Sequence, residues 1–357
     1  MEGGPDMTGD RTTIRTIDGL VAAGLAHDEA ALDEVAQRYA IAISPAVRRR
    51  VGPGPDDPVA AQFVPTASEL IVSADEFTDP IGDDRFTPVT GVTHRYRDRV
   101  LLKPLGMCPV YCRFCFRREV VGPEQGILSD ADLTTALDYI RDHEEVWEVI
   151  LTGGDPLMLP PARLDRVLEG LEAIAHVKVV RIHTRVPVVS PERIRPRLLS
   201  VLRRRIPVWI VLHCNHRQEI GEDASAALGA LADRGIPLLS QTVLLRGVND
   251  DAKVLEELFR ELVEHRVKPY YLHHADLARG TGHFRTGIEE GRDIVHRLRG
   301  DVSGLCQPTY VLDIPGGHGK VPIAETSLER AADGSYLVTD RGGARHRYPP
   351  VAEGPEQ

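Results

Sequence analysis

The sequence lacks the features that mark membrane, secreted and nucleic-acid-binding proteins. No run approaches the eighteen or more apolar residues of a membrane span, and the first residues lack the basic-then-apolar pattern of a signal peptide. Acidic residues outnumber basic ones, 53 to 43, which gives a net charge of −10 and predicts no general basic surface. We therefore expect a cytoplasmic protein that has neither a membrane nor a nucleic acid as its partner.

Cysteine is also scarce, with five among 357 residues, an odd number. Cys108, Cys112 and Cys115 fall within one short stretch and have the spacing Cys-x3-Cys-x2-Cys, whereas Cys214 and Cys306 are isolated. This distribution fits metal ligation in a reducing compartment better than a disulfide scaffold. Three thiolates on one short loop favour iron-sulfur, zinc or copper(I).

Two kinds of metal centre remain open for this loop. If three cysteines hold a cluster of four irons, one iron has no protein ligand, and chemistry can take place there. A zinc knuckle would need a fourth ligand and usually a second paired motif. Neither of the two remaining cysteines forms such a pair. The sequence therefore favours an open-iron cluster over zinc.

From residue 100 onward, short apolar runs rich in β-branched residues alternate with helical stretches. The predicted strands are 100–103, 147–152, 177–183, 208–213, 238–245, 268–273 and 309–312, and the predicted helices are 129–143, 161–175, 191–204, 223–234, 250–265 and 286–298. Such alternation predicts right-handed βαβ units, a parallel sheet and a site at the strand carboxyl ends. The fold class is thus α/β, a partial (β/α)6 barrel of the TIM type.

The chain divides by composition into three parts. Residues 1–90 are predicted to be a helical subdomain, with Ser44 and Pro45 starting a helix, followed by a belt rich in Pro and Asp over 53–88. Residues 91–323 form the predicted barrel, and residues 324–357 a C-terminal tail.

A glycine-rich segment follows the second predicted strand of the barrel. Glycine at Gly153 and Gly154 lets a ligand approach the backbone, and the exposed N–H groups can bind a carboxylate or phosphate. Asp155 completes the segment. Taken by itself, the segment is explained at least as well by an ordinary turn between strand and helix.

A second glycine-rich segment ends in Lys320. It is not a phosphate-binding P-loop, because Ile314 and Val321 stand where that motif needs Gly and Ser or Thr. What remains is a lysine on a glycine-rich loop after a strand. Such a lysine can form a Schiff base if burial or nearby positive charge lowers its pKa.

The cysteine spacing, with the aromatic Phe114 just before the third cysteine, resembles the radical S-adenosylmethionine (SAM) superfamily. That resemblance implies a 4Fe-4S cluster on Cys108, Cys112 and Cys115, whose open iron is chelated by SAM. It also implies that Phe114, Gly153, Gly154 and Asp155 contact SAM. An external one-electron reductant of the flavodoxin or ferredoxin type would supply the electron that cleaves SAM to a 5'-deoxyadenosyl radical.

Over residues 59–323 the motifs together resemble the lysine 2,3-aminomutase family. The resemblance implies pyridoxal 5'-phosphate (PLP) on Lys320 and a set of further cofactor-binding residues: Arg95, Tyr96, Arg99 and Gln241. Fork-shaped guanidinium groups suit a phosphate. The resemblance further implies that Arg117 pairs with the substrate carboxylate, and that Asp276 and Asp313 hold the lysine ε-ammonium.

The implied function is interconversion of L-lysine and β-lysine by 1,2-amino migration. Alternatives are the branch that makes β-lysine for an elongation factor, a 2,3-aminomutase for another amino acid, and an iron-sulfur electron carrier, which would have no use for Lys320. Two departures from the family stand out. His318 replaces a residue that is commonly Gly, and no cysteine follows Cys306 to build the structural zinc site of longer members. A homo-oligomer is therefore left open.

Overall fold

The computed structural model describes residues 12–27, 30–54, 56–324, 328–332, 335–339 and 343–348. Two sheets occur in these ranges, one of nine strands and one of three. The nine strands are β1 (Val92–Tyr96), β2 (Arg99–Leu105), β3 (Glu148–Gly153), β4 (Val179–Thr184), β5 (Val208–His213), β6 (Leu238–Leu244), β7 (Val267–His274), β8 (Thr309–Ile314) and β9 (Gly319–Pro322). The smaller sheet contains β10 (Leu328–Arg330), β11 (Tyr336–Thr339) and β12 (Arg345–Tyr348).

Helices cover the outside of the large sheet and build the N-terminal part. They are α1 (Ile17–Ala22), α2 (Ala30–Arg38), α3 (Pro45–Arg48), α4 (Pro58–Phe63), α5 (Asp130–Arg141), α6 (Pro161–Glu172), α7 (Val186–Val189), α8 (Pro196–Leu202), α9 (Glu222–Asp233), α10 (Ala252–Glu264) and α11 (Ile288–Asp301). Among the helices of the described ranges, none is both long and apolar enough to cross a bilayer.

The large sheet follows chain order from β1 to β9. Strands β2 to β8 pair in parallel, and helices α5, α6, α8, α9, α10 and α11 lie in the connections between successive strands. At the two edges, β1 pairs antiparallel with β2, and β9 pairs antiparallel with β8. The predicted partial (β/α)6 barrel is confirmed, with an added antiparallel strand at each edge.

The helices form where the sequence provides both a cap and an apolar stripe. Helix α10 begins after Asp251, whose carboxylate accepts from the backbone N–H groups of Lys253 and Val254. Its buried residues are spaced to share one face, and they are Leu255, Leu258, Phe259 and Leu262. Burying each such side chain contributes roughly 1.5–3 kcal/mol, so this face fixes the helix against the sheet.

Part of the segment predicted as a surface belt is instead helical and buried. Helix α4 starts at Asp57, whose carboxylate caps it, and Pro58 occupies the first turn. Val59 and Phe63 are 1% and 0% exposed. The helix signal was present, but the composition of residues 53–88, rich in Pro and Asp, concealed it.

The edges of the large sheet approach each other across the barrel. The hydroxyl of Tyr96 on β1 accepts a hydrogen bond of 2.9 Å from the backbone N–H of Lys320 on β9. The structure describes no strand pairing between these edges. A side chain therefore links the first and last strands of the sheet, at the residue that carries the predicted cofactor amine.

Residues 79–86, which we call the clasp, pack against the turn that precedes β9. The backbone of Gly82 packs so tightly on Gly316 and Gly317 that a Cβ atom at Gly82 would overlap them. Arg85 donates a hydrogen bond of 2.9 Å to the carbonyl of Gly316. Gly82 is needed for this close approach, and Gly316 and Gly317 have φ values of +76° and +81°, which favour glycine.

A buried ion pair anchors the cysteine loop to the N-terminal part. Glu69 is 0% exposed and Arg113 is 2% exposed. The Arg113 guanidinium donates to both Glu69 oxygens, at 2.9 Å from Nε and 2.6 Å from Nη2, and Arg118 also pairs with Glu69. Burial opposes ionisation of Glu69, but the two guanidinium groups outweigh it and lower the pKa of the carboxyl.

Replacing Glu69 with glutamine should lower the free energy of unfolding by about 3–5 kcal/mol, because two buried guanidinium groups lose their counter-ion. Urea unfolding of the ligand-free protein measures the change. Glu34→Gln is the matched control, since Glu34 pairs with Arg38 at the surface, where such a pair contributes about 1 kcal/mol or less. Equal stability of the two variants would contradict the prediction.

Candidate functional site

The barrel interior encloses a cavity of about 500 Å³, a volume typical of small-molecule sites. Every residue that the sequence assigned to the site lines this cavity: Arg95, Tyr96, Arg99, Cys108, Cys112, Phe114, Cys115, Arg117, Gly153, Gly154, Asp155, Gln241, Asp276, Asp313 and Lys320. Residues from distant parts of the chain therefore meet in one chamber.

The cysteine loop follows β2 and places its three thiols close enough to influence one another. Burial raises the pKa of the Cys108 thiol well above its usual range, and Asp155, Cys115 and Cys112 raise it further. Burial, followed by the charge of Cys112, raises the pKa of Cys115 to about 11. Buried thiols of this kind would lose their protons only beside a positive partner, which the irons of a cluster would provide.

In the described ranges, no three side chains of His, Cys, Asp or Glu converge where a single ion could bind. A cluster of four irons does not require such convergence, because each cysteine ligates a different iron. The loop therefore fits a cluster in its donor type.

Arg185 is a site residue that the sequence reasoning missed. It follows β4, and its Nη1 donates a hydrogen bond of 2.9 Å to the Cys112 sulfur. Its Nη2 donates to Gln62 at 2.5 Å and to Glu219 at 2.6 Å, and its guanidinium lies 5.5 Å from the Phe114 ring centroid. The available signal was an arginine two residues after the predicted strand 177–183, because the carboxyl ends of the strands in this fold face the site.

The first glycine-rich segment packs on the backbone of the cysteine loop. Gly153 has a φ of +103°, which favours glycine. The N–H groups of Gly154 and Asp155 donate to the carbonyls of Leu105 and Met107, both at 2.9 Å. A Cβ atom at Gly154 would overlap the Met107 carbonyl. The segment and the cluster loop are therefore held as one unit.

The Asp155 carboxylate is occupied by the chain itself. It accepts hydrogen bonds from the Thr184 hydroxyl at 2.7 Å, and from the backbone N–H groups of Arg185 at 2.7 Å, Leu157 at 3.1 Å and Val186 at 3.2 Å. These bonds tie the ends of β3 and β4 together. The N–H groups of Gly154 and Asp155 are likewise used within the chain, so the expectation that they bind a carboxylate or phosphate is wrong. The segment still lets a ligand approach the glycine backbone beside the cysteines.

Two of the predicted anion-binding arginines meet at one carboxylate, that of Asp83. Arg95 donates to one Asp83 oxygen at 2.8 Å, and Arg117 donates to the other at 2.8 Å and 3.1 Å. Arg99 lies apart from this pair, over the Tyr96 ring at 3.9 Å from its centroid. The Nε of Arg95 is buried without a partner in the described part of the chain, so an anionic ligand would find a free donor there.

The predicted cofactor lysine lies at an acidic pole of the cavity. The Lys320 amine pairs with Asp313 and lies 3.2 Å from Nδ1 of His273. Burial opposes ionisation of Asp313, but His273 and Lys320 hold the pKa of its carboxyl far below its usual range. Burial, with the charge of Asp313, raises the pKa of Asp276 to about 7. The pole thus combines one ionised carboxylate with one that titrates near neutrality.

Two histidines of the cavity wall were also missed by the sequence reasoning. Nε2 of His183 and Nε2 of His273 are buried without hydrogen-bond partners in the described residues. Burial lowers the pKa of both imidazoles, which keeps them neutral. Each offers a ligand a donor or an acceptor, as the tautomer decides. Isolated histidines on strands carry no motif, so only the fold could bring them to the site.

Residues 102–260 match the radical SAM superfamily. The L-lysine 2,3-aminomutase of Clostridium subterminale is 44% identical over 297 residues, which are 83% of this chain and 71% of that protein. That of Bacillus subtilis (strain 168) is 35% identical over 340 residues, 94% of this chain and 72% of that protein. A glutamate 2,3-aminomutase of Clostridioides difficile (strain 630) is 38% identical over 293 residues, 82% and 69% of the two chains. The chain spans between 62% and 71% of four L-lysine 2,3-aminomutases.

Replacing any one of Cys108, Cys112 and Cys115 with alanine should weaken iron binding at least about tenfold, since even groups behind the ligands contribute that much. Iron and sulfide content after anaerobic reconstitution measures the effect. Cys214→Ala and Cys306→Ala are the controls, because these buried cysteines lie outside the cavity. A loop variant that keeps its full iron content would contradict the assignment.

Proposed function

The chain belongs to the L-lysine 2,3-aminomutase family of the radical SAM superfamily, and on that premise we propose that it interconverts L-lysine and β-lysine. One observation carries the proposal. A single cavity brings together three clustered thiols, the Lys320 amine, a group of arginines and two carboxylates. An electron carrier without a substrate would need only the thiols.

The residues of the cavity fit three cofactors. When bound, a 4Fe-4S cluster with SAM supplies a radical that removes hydrogen from the substrate, and PLP stabilises the radical through which the amino group migrates. The thiols of the cysteine loop would hold the cluster, and Phe114, Gln241 and the Gly153–Gly154 backbone would hold SAM. Lys320 would carry PLP, with Arg95 and Arg99 at its phosphate and Tyr96 near the cofactor.

Charged groups of opposite sign line the cavity and would select the substrate. Arg117 offers a guanidinium to the α-carboxylate, while Asp276 and Asp313 offer carboxylates to a distant ammonium group. An unpaired buried charge costs several kcal/mol, so a long cationic amino acid fits this arrangement. One relative is named a glutamate 2,3-aminomutase. Glutamate would place its side-chain carboxylate beside those of Asp276 and Asp313, where the like charges repel. Lysine is therefore the favoured substrate.

The walls of the barrel also keep water from the reacting atoms. Lys320 and Asp313 side chains are 22% and 11% exposed in the ligand-free cavity, and a bound substrate would cover them further. The reaction needs an external one-electron donor of the flavodoxin or ferredoxin type. It also needs a reducing compartment, and we propose the cytoplasm.

The protein reconstituted anaerobically with cluster, SAM, PLP and dithionite should convert L-lysine to β-lysine. Lys320→Ala should abolish both the conversion and the visible absorbance of lysine-bound PLP, because the amine that carries PLP is lost. Chromatography of the products with mass detection measures the conversion, and Lys253→Ala, on the exposed side of α10, is the control. If cluster and PLP are bound and only another amino acid is converted, the substrate assignment is wrong.

The affinity for L-lysine should rise as the pH increases through about 7. Below that pH Asp276 is protonated and neutral, and above it the ionised carboxylate attracts the ε-ammonium, which stays charged up to about pH 10. Titration of PLP absorbance with L-lysine across this range, without reductant, measures the effect. Asp276→Asn should remove the pH dependence and weaken binding about tenfold above neutrality. A pH dependence that persists in Asp276→Asn would assign it to another group.

A further inference from the structure

We propose that Asp83 is a positioning residue that fixes the distance between the phosphate subsite and the carboxylate subsite of the cavity. The inference rests on the proposed function, which gives Arg95 to the cofactor phosphate and Arg117 to the substrate carboxylate. Asp83 itself would touch neither ligand. It acts through the two arginines that it joins.

The geometry gives each arginine its own oxygen of Asp83. Oδ1 accepts from Nη2 of Arg95 at 2.8 Å, and Oδ2 accepts from Nη2 of Arg117 at 2.8 Å and from Nε at 3.1 Å. The three side chains are 10–12% exposed. A single buried carboxylate therefore determines where both guanidinium groups lie.

Charge makes this bridge necessary. Two guanidinium groups brought together inside a cavity repel each other strongly, because little water is present to screen them. Burial opposes ionisation of Asp83, but Arg117, Lys103 and Arg95 outweigh it and lower the pKa of the carboxyl. Asp83 therefore stays ionised, and it holds two cations in one orientation before any ligand arrives. A site prepared in this way needs less reorganisation on binding.

The same residue is tied to the strand that carries the cofactor amine. Asp83 belongs to the clasp, and its backbone N–H donates to the Asp79 carboxylate at 2.9 Å. The neighbouring Gly82 packs on the backbone of Gly316 and Gly317, in the turn before β9. The clasp therefore contacts both the arginine pair and the backbone before Lys320. A shift of the clasp would displace both.

The phosphate arm of the test compares PLP with pyridoxal, which has the same aldehyde but lacks the phosphate. Both are titrated by visible absorbance in the absence of SAM and reductant. In Asp83→Asn the affinity for PLP should fall about tenfold while that for pyridoxal is unchanged, since only the phosphate uses Arg95. Asp84→Asn is the matched control, because Asp84 is the next residue of the clasp and is exposed.

The carboxylate arm compares L-lysine with 1,5-diaminopentane, which has the same two amines but no carboxylate. Both are titrated against the PLP-loaded protein, again without SAM. Asp83→Asn should lower the affinity for L-lysine about tenfold and leave the affinity for the diamine unchanged. Asp83→Glu, which keeps the charge on a longer side chain, should recover part of both losses.

Four results would overturn the inference. Tighter binding of PLP and L-lysine by Asp83→Asn would show that Asp83 competes with the ligand anions for the two arginines. Unchanged binding would show that Asp83 does not position the arginines. An equal loss of affinity for all four ligands would show a general structural defect. Absence of PLP binding in the unaltered protein would overturn both the inference and the proposed function. Failure to convert lysine, with both arms as expected, would overturn only the proposed function.

Discussion

The buried pairing of Glu69 with Arg113 and Arg118 is the interaction on which the rest of the site depends. Both arginines lie in or beside the cysteine loop, and Glu69 comes from the N-terminal part of the chain. A loop with three thiols has no secondary structure of its own to fix it. The ion pair fixes the loop to the N-terminal part, and the backbone hydrogen bonds of Gly154 and Asp155 fix it to the end of β3.

The other end of the cavity depends on how the barrel is closed. Lys320 is held by the antiparallel pairing of β9 with β8. On the side of β1, where the structure describes no strand pairing, the Tyr96 hydroxyl and the clasp add further contacts. Residues of the first strand and of the segment before it thus hold the last strand. This arrangement holds the Lys320 amine in the cavity that Arg95 of β1 and Arg99 of β2 also line.

The sequence predicted the regular part of this molecule well and the irregular part less well. Apolar strands such as β3 and capped helices such as α10 have periodic patterns that depend only on local residues. The site motifs were equally visible, because their cysteines and glycines occur at fixed spacing. Asp83 and His273 could not be found in this way, and for Arg185 the signal was its position after a predicted strand. Each is a single residue whose partner lies far along the chain, so only the folded topology shows what it contacts.

The contact between Arg185 and the Cys112 sulfur has a consequence for electron transfer. A cluster gains negative charge when it accepts an electron, and a hydrogen-bond donor at a ligand sulfur stabilises that added charge. Arg185 would therefore raise the midpoint potential of a cluster on this loop. A weaker electron donor would then suffice to reduce it.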